Sequence, residues 1–333
     1  MKPDVELPAW FPGWAHRLAE LNSSGSAAAF VLHGNTYDFV PLSGGEQPAY
    51  GSLTQFLAEQ MFGRWDLVLH YDLGRGLRVI AGSDEKRLRD MVTRVHEQIP
   101  EFSSIKNDPS LVFARLDQLV RGIVMASEKG RPSLALIVDQ ASYLFPSGEP
   151  GRTSFAASGL LVTLLNWASS SHVKRLNMAF VLIDERLSDT SARLVSNPHV
   201  AVIEVPLPEQ PARAAYVRTV AGSRAFPEFS DFGSVELARL TAGITLADVG
   251  VLLATALHGG ARLDARTFRD LKKRLIERHC RGLLEFIEPK WNLEMVIGHE
   301  AAKQRLREDA ELLRRGALEA LPMGYLLCGA VRT

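Results

Sequence analysis

The chain has 333 residues, 46% of them hydrophobic and 23% charged, which is typical of a globular protein long enough to bury a substantial core. Lysine plus arginine and aspartate plus glutamate both number 38, so the zero net charge predicts no attraction to nucleic acid or to an anionic membrane. The chain has only two cysteines, 48 residues apart, which does not fit a disulfide scaffold. Its first residues do not resemble an apolar signal sequence, and no run of roughly 20 apolar residues could span a membrane, so we expect a cytoplasmic location.

The first 208 residues predict alternating helices and strands. A leading helix carries one apolar face, made of Trp10, Trp14, Leu18 and Leu21. Five short and almost unbroken apolar runs suit parallel strands covered on both faces: Ala27–Leu32, Asp66–Tyr71, Leu134–Val138, Ala179–Ile183 and Val200–Val205. Helical periodicity separates them at Leu53–Phe62, Lys86–Ile99, Leu111–Ser127 and Leu160–Ser170. This order predicts an α/β fold with a doubly wound, five-stranded parallel sheet and right-handed crossovers.

The strand signal stops after Pro208. Helical patterns follow at Pro211–Val220, Val235–Thr241, Leu246–Leu257 and Ala265–Ile287, which predict a helical lid subdomain. Pro289 marks a boundary, and a helix at His299–Arg315 with a strand at Tyr325–Cys328 begins a second α/β unit. We therefore predict four segments: a leading helix at 1–26, an α/β core at 27–208, a lid at 209–288 and the start of a second module at 289–333.

The last residues match the opening of a phosphate loop, G-x-x-x-x-G-K-[S/T], which is entered from a strand. Gly329 follows the predicted strand, and Ala330, Val331, Arg332 and Thr333 fill the four variable places. The sequence ends where Gly-Lys-[Ser/Thr] is expected. In such a loop, backbone N–H groups at a helix N-terminus surround the phosphates and the lysine adds a positive charge.

These residues carry a family resemblance. The segments 283–289 (LLEFIEP), 296–303 (VIGHEAAK) and 323–329 (MGYLLCG) resemble the beginning of an AAA+ ATPase domain, in which they lead into GxLLxGPPGTGKT. Ala330 stands at the family's first loop proline and Arg332 at its internal glycine. The resemblance implies ATP and Mg²⁺ as ligands of the complete second module.

Residues 27–288 resemble the same family in the order of their elements, but with altered nucleotide motifs. Asp139, at the end of a strand, matches the family's Walker B aspartate, and Gln140 replaces the catalytic glutamate; an amide can bind water but cannot act as a general base. Gly34 stands at the first phosphate loop, yet no Gly-Lys-[Ser/Thr] follows it. The bulky Tyr37 and Phe39 lie where the backbone would have to surround phosphate, and Asp38 would repel it. We predict a degenerate first module that does not hydrolyse ATP.

Two further positions follow from the resemblance. Asp184, after the fourth strand, departs from the asparagine or threonine of the family's sensor 1. Arg193 lies where relatives carry an arginine finger that reaches into the neighbouring subunit; a surface arginine paired with Glu185 or Asp189 is the structural alternative. The nine histidines are scattered without metal-ligand spacing, so no metal site is expected in the chain's own motifs.

The resemblance implies a subunit of a homo-oligomeric ring, usually a hexamer, that remodels or unfolds a protein substrate. In this hypothesis the first module is a scaffold and the second hydrolyses ATP. The alternative is a non-catalytic AAA-like adaptor or regulatory module. A nucleic-acid translocase would need a basic stripe, which the neutral composition does not supply.

Overall fold

A computed structural model describes residues 7–45, 47–81, 85–99, 107–128, 130–148, 154–259, 262–279, 292–315, 317–322 and 324–325. The chain divides into two compact units, Met1–Ile276 and Glu277–Thr333. No helix within the described ranges combines the length and apolar character needed to cross a bilayer. The first unit holds the α/β sheet and most of the helical segment that follows it, and the boundary between the units falls within the helix Ala265–His279.

The predicted doubly wound α/β sheet is confirmed, with one strand more than expected among the described residues. Its strands are β1 (Ala29–Gly34), β4 (Leu67–Asp72), β5 (Gly76–Val79), β6 (Leu134–Val138), β7 (Met178–Ile183) and β8 (Val200–Val205), in the spatial order β5-β4-β6-β7-β1-β8. All neighbours are parallel except β4 and β5, which form an antiparallel hairpin at one edge. A separate two-stranded ribbon, β2 (Val40–Pro41) with β3 (Tyr50–Gly51), follows β1.

Successive side chains of the central strands enter two different cores. Phe30 and Leu32 of β1 belong to one apolar cluster, whereas Ala29 and Val31 belong to the other. Because both faces are covered, every one of these residues is buried, which explains why the strands have unbroken apolar runs instead of alternation.

Helices cover each face of the sheet. On one side lie α1 (Gly13–Ser23) and α2 (Leu53–Phe56, continued by a π-helical turn, Leu57–Met61), and Trp14 packs edge-to-face on Phe56 at 5.3 Å. On the other lie α4 (Pro109–Met125), α5 (Phe155–Ser169) and the short α6 (Ser171–Arg175). The helix α3 (Glu85–Gln98) contacts the β4–β5 edge. Helix α1 begins at Gly13, so the prediction that Trp10 belongs to this helix was wrong.

The short helix α7 (Ala192–Val195) precedes β8, and the predicted helical lid follows β8. The lid comprises α8 (Gln210–Ala221), α9 (Phe226–Phe229), α10 (Ser234–Leu240), α11 (Leu246–Gly259) and α12 (Ala265–His279). These helices share a third apolar core, which includes Tyr216, Val217, Leu237, Val249 and Leu253. Residues 280–287 of the predicted last lid helix lie outside the described residues.

The second unit contains α13 (Glu300–Arg314), preceded and followed by single 3₁₀ turns at Leu293–Met295 and Leu318–Ala320. The helix agrees within one residue at each end with the prediction. Only Tyr325 of the predicted strand Tyr325–Cys328 lies within the described residues.

Candidate functional site

The segment after β1 stands where a phosphate loop begins in the resembled family. Three successive backbone N–H groups of this segment donate to backbone carbonyls: Gly34 to Glu185 at 3.1 Å, Asn35 to Val205 at 2.8 Å and Thr36 to Gly34 at 2.8 Å. A phosphate loop needs such amides free to point at the ligand. These three are already used inside the protein.

Gly34 has a structural reason to be glycine. Its φ is +95°, and a Cβ at this position would lie 2.8 Å from the carbonyl oxygen of Val205. The left-handed region is strained for residues with a side chain, and the close approach to β8 leaves no room for one. The glycine therefore allows the chain to leave β1 beside β8, a role that requires no ligand.

Asp38 is buried and binds the lid. Its carboxylate accepts hydrogen bonds from the backbone N–H groups of Leu246 at 2.8 Å and Ala247 at 2.9 Å, in the first turn of α11, and from the side-chain amide of Asn35 at 2.8 Å. The exposed fraction of Asp38 is 5%. The expectation that Asp38 faces the phosphate position and repels an anion there therefore needs correction: its charge is directed at the lid helix.

The Walker B-like residues lie at the end of β6. The Asp139 carboxylate accepts a hydrogen bond from the Gln140 N–H at 3.0 Å and a longer one from the Thr54 hydroxyl at 3.4 Å. Gln140 has a left-handed backbone, with φ +52°, and its side chain is exposed. The structure thus places Asp139 at the expected strand end, next to the segment that follows β1.

A polar network beside Asp139 was not predicted from the sequence. His70, in the buried interior of β4, has Nδ1 at 2.7 Å from Nη2 of Arg78, and the same Nη2 donates to Asp72 at 2.7 Å. Because arginine can only donate, Nδ1 is the acceptor, and a neutral His70 carries its proton on Nε2. That Nε2 lies 3.8 Å from Oδ2 of Asp139 and has no hydrogen-bond partner among the described residues.

Electrostatics within the network follow from its contacts. Burial works to raise the pKa of Asp72, but the N–H of Arg75 and the guanidinium of Arg78 outweigh it and hold that pKa below its ordinary value. Asp72 is therefore ionised and paired at neutral pH. The available signal in the sequence was a histidine inside an apolar strand, which alone does not identify its partners.

An open cavity of about 820 Å³ connects these groups. Its lining includes Tyr37, Asp38, Thr54, His70, Arg75, Arg78, Asp139 and Gln140. Burial, followed by the negative charges of Asp139, Asp184 and Glu185, raises the pKa of Tyr37, so its phenol is neutral at physiological pH. The same carboxylates make this end of the cavity unfavourable for phosphate.

Asp184 and Arg193 are not brought together. The buried Asp184 carboxylate accepts the N–H of Ser142 at 2.6 Å and of Glu185 at 2.8 Å, which joins the ends of β6 and β7. Arg193 lies in α7, is exposed, and lines a separate cavity of about 290 Å³. No ion pair of Arg193 with Glu185 or Asp189 is present in the described part of the chain, so the structural alternative to an arginine finger finds no contact.

The second candidate site lies outside the described residues. Gly329, Ala330, Val331, Arg332 and Thr333 all belong to the segment 326–333, so their arrangement stays a prediction. Within the ranges that are described, no group of three or more His, Cys, Asp or Glu side chains is placed to hold a metal ion.

Comparison with known proteins identifies the family. A family model described as "AAA+ chaperone, N-terminal Rossmann-like domain" matches residues 4–206, and one described as "AAA+ chaperone, second helical domain" matches residues 211–281. No curated protein matches the chain. Among solved structures, a chain of the E. coli MS115-1 HORMA:CdnC:Trip13 complex is similar, with 15% identity and a TM-score of 0.43 over 78% of this chain and 77% of that chain. Because the first family model alone spans more than half of the sequence, the chain belongs to the AAA+ chaperone family.

Proposed function

We propose that the chain is part of an AAA+ ATPase subunit in which the module described first along this sequence is a scaffold that does not hydrolyse ATP. In this proposal the core at 27–208 and the lid at 209–288 form that module after a leading helix at 1–26. ATP binding and hydrolysis belong to a second module that begins at 289–333.

One observation carries the proposal for the first module: the backbone amides at the position of the family's phosphate loop already donate hydrogen bonds within the protein. Three successive amides after β1 are bonded within the protein, and Asp38 occupies the helix N-terminus that the lid presents to the core. No lysine occurs between Lys2 and Lys86, so the loop also lacks the positive charge that phosphates require. ATP with Mg²⁺, which AAA+ proteins generally bind, does not fit these residues.

The Walker B-like pair supports the same proposal. Asp139 is present, but Gln140 replaces the glutamate that polarises water in active relatives, and an amide cannot take a proton from water. The two departures are independent in sequence and both disfavour hydrolysis.

For the second module, we propose that Gly329–Thr333 open a phosphate loop with the sequence Gly-Lys-[Ser/Thr] immediately beyond. Hydrolysis there would be Mg²⁺-assisted transfer of a phosphoryl group to water, with positioning and electrostatics as the main contributions. By family resemblance, the subunits form a homo-oligomeric ring, a hexamer in the usual case, in the cytoplasm. The ring remodels or unfolds a protein, and Arg193 acts at the boundary between subunits.

The test separates the two modules. Purified chain 1–333 with Mg-ATP should show no turnover above a protein-free blank, and Asp139→Ala should change nothing. Turnover by 1–333 that Asp139→Ala abolishes would overturn the scaffold assignment. Gln140→Glu is the matched variant, because it restores the missing base without restoring the phosphate loop; it should remain inactive.

Reading the gene beyond codon 333 tests the second module. Gly-Lys-[Ser/Thr] directly after Thr333, and later an apolar strand ending in Asp-Glu, are expected. A stop codon or unrelated sequence at this place would refute the ATPase proposal. The Asp38 carboxylate bound to the lid would then favour the second candidate, a non-catalytic AAA-like adaptor that needs no nucleotide.

A further inference from the structure

The Asp38 carboxylate is a buried charge without a cationic partner. None of the ion pairs within the described part of the chain involves Asp38, although its exposed fraction is only 5%. Burial of an unpaired carboxylate is strongly unfavourable. Its compensation comes from the side-chain amide of Asn35 and from the N-terminus of α11, whose first-turn amides of Leu246 and Ala247 donate to the two carboxylate oxygens.

These hydrogen bonds join two parts of the module that are distant in sequence. Asp38 follows β1 in the core, and Leu246 is 208 residues further along, in the lid. Aromatic contacts support the same junction: Phe39 stacks on Tyr216 of α8 with ring centroids 5.9 Å apart, and Tyr50 packs edge-to-face on Tyr216 at 4.9 Å. The segment after β1 is therefore attached to the lid by one charged contact and two aromatic ones.

The position of the contact suggests its role. In doubly wound α/β proteins, an anionic ligand binds beyond the carboxyl ends of the strands, and a helix N-terminus is a ready anion site. Here the anion at such a helix is a side chain of the protein, presented from the loop that would otherwise hold phosphate. We propose that Asp38 acts as a built-in anion that keeps the lid attached to the core without nucleotide, so that the first module stays closed whatever nucleotide is present.

The inference extends the proposed scaffold function, but the two can fail separately. Loss of the second module's ATPase activity would leave the lid contact untouched, and an open lid would not create or remove hydrolysis in the second module. The competing explanation is that Asp38 only caps α11. This cap already has a local counterpart, because the Thr245 hydroxyl accepts the Asp248 N–H at 3.1 Å and donates to the Asp248 carboxylate at 2.7 Å.

Thr245 therefore offers a matched control. Hydrogen exchange measured by mass spectrometry on chain 1–333 should compare wild type, Asp38→Ala and Thr245→Ala. Asp38→Ala should speed exchange roughly 10- to 100-fold across the core-facing lid helices α8 and α11, while β1 peptides keep their protection. Thr245→Ala should affect only the first turn of α11. An equal, local effect of both variants would overturn the proposal and leave Asp38 as a simple cap.

Two further arms complete the test. If Asp38→Ala fails to fold, Asp38→Asn provides the test, because the amide keeps one acceptor and the side-chain shape but lacks the charge. Faster hydrogen exchange in the lid of Asp38→Asn would support the proposal, and exchange equal to that of wild type would overturn it. Mg-ATP or Mg-ADP at millimolar concentration should leave lid exchange in the wild-type chain unchanged. Nucleotide-dependent protection of α11 would overturn the proposal, since it would show that the lid still responds to nucleotide.

Discussion

Replacing Gly34 by alanine tests whether this glycine serves backbone geometry or phosphate binding. At φ +95°, a residue with a side chain is strained by about 1–2 kcal/mol. The new Cβ would meet the Val205 carbonyl oxygen at 2.8 Å, so β8 must shift. That shift weakens the hydrogen bond from the Asn35 N–H to the same oxygen, which contributes about 1 kcal/mol. Alanine also restricts the unfolded chain more than glycine does, and this effect offsets about 0.4–1 kcal/mol of the loss in stability. The net loss should be about 2 kcal/mol.

Gly130 provides the control for this substitution. Its φ is +88°, close to that of Gly34, but a Cβ there would meet nothing within 4 Å. Gly130→Ala should therefore show only the backbone strain less the unfolded-chain offset, about 1 kcal/mol or less. The difference between the two variants isolates the contact with β8.

Urea unfolding followed by tryptophan fluorescence measures both variants, because Trp10, Trp14, Trp65 and Trp167 all lie in the first unit. The loss for Gly34→Ala should appear without nucleotide and should not change when Mg-ATP is added. Equal losses in Gly34→Ala and Gly130→Ala would refute the steric argument. A stability difference that appears only with Mg-ATP would instead assign Gly34 to a working phosphate loop.

Two other predictions concern charged side chains of the first unit. Burial works to raise the pKa of Asp66, but hydrogen bonds from the Ser133 N–H and hydroxyl, together with Arg94, outweigh burial and lower that pKa. The stability that the ionised carboxylate contributes is therefore present above about pH 4, and it is lost as the pH falls through the lowered pKa. Asp66→Asn should thus lower the free energy of unfolding at pH 7 by about 1 kcal/mol, and this difference from wild type should shrink as the pH falls toward about 3. A difference that stays constant with pH would contradict the linkage. Arg193→Ala should change the free energy of unfolding by no more than about 0.5 kcal/mol, because the side chain is exposed. Because the first module of a neighbouring subunit is proposed not to hydrolyse ATP, the same variant should leave ATP turnover of the assembled longer protein unchanged; a loss of about 10³-fold would show that Arg193 acts as an arginine finger and would count against the scaffold proposal.

The sequence predicted the elements whose signal is local. Each of the five apolar runs became a strand. The interior strands β1, β6 and β7 have apolar runs because parallel strands covered on both faces bury nearly every side chain, whereas the edge strand β8 leaves Glu204 exposed. The hairpin strand Gly76–Val79 was missed because it is short, lies at the sheet edge and follows a tight turn in which the Arg75 N–H donates to Asp72. A four-residue run in which Arg78 and Val79 are only half-buried carries too few apolar positions to be recognised.

The candidate site depended on contacts that no local pattern encodes. Asp38 was interpreted from its neighbours in sequence, whereas its partners are Leu246 and Ala247 in the lid. The His70–Arg78 contact likewise depends on the pairing of β4 with β5, the hairpin that sequence reasoning did not include. Both cases involve one side chain whose role is decided by a tertiary neighbour.

The magnitudes explain how a side chain can take the place of a ligand in this module. A nucleotide present at 100 times its dissociation constant stabilises the state that binds it by about 2.7 kcal/mol. Two hydrogen bonds to a buried carboxylate contribute about 1.5–3 kcal/mol each, so Asp38 at the N-terminus of α11 supplies a comparable free energy. The two sources differ in one respect: a nucleotide is hydrolysed and released, whereas Asp38 stays in place. If Asp38 holds the lid in this way, the lid does not respond to nucleotide, and nucleotide-dependent motion must arise outside the first unit.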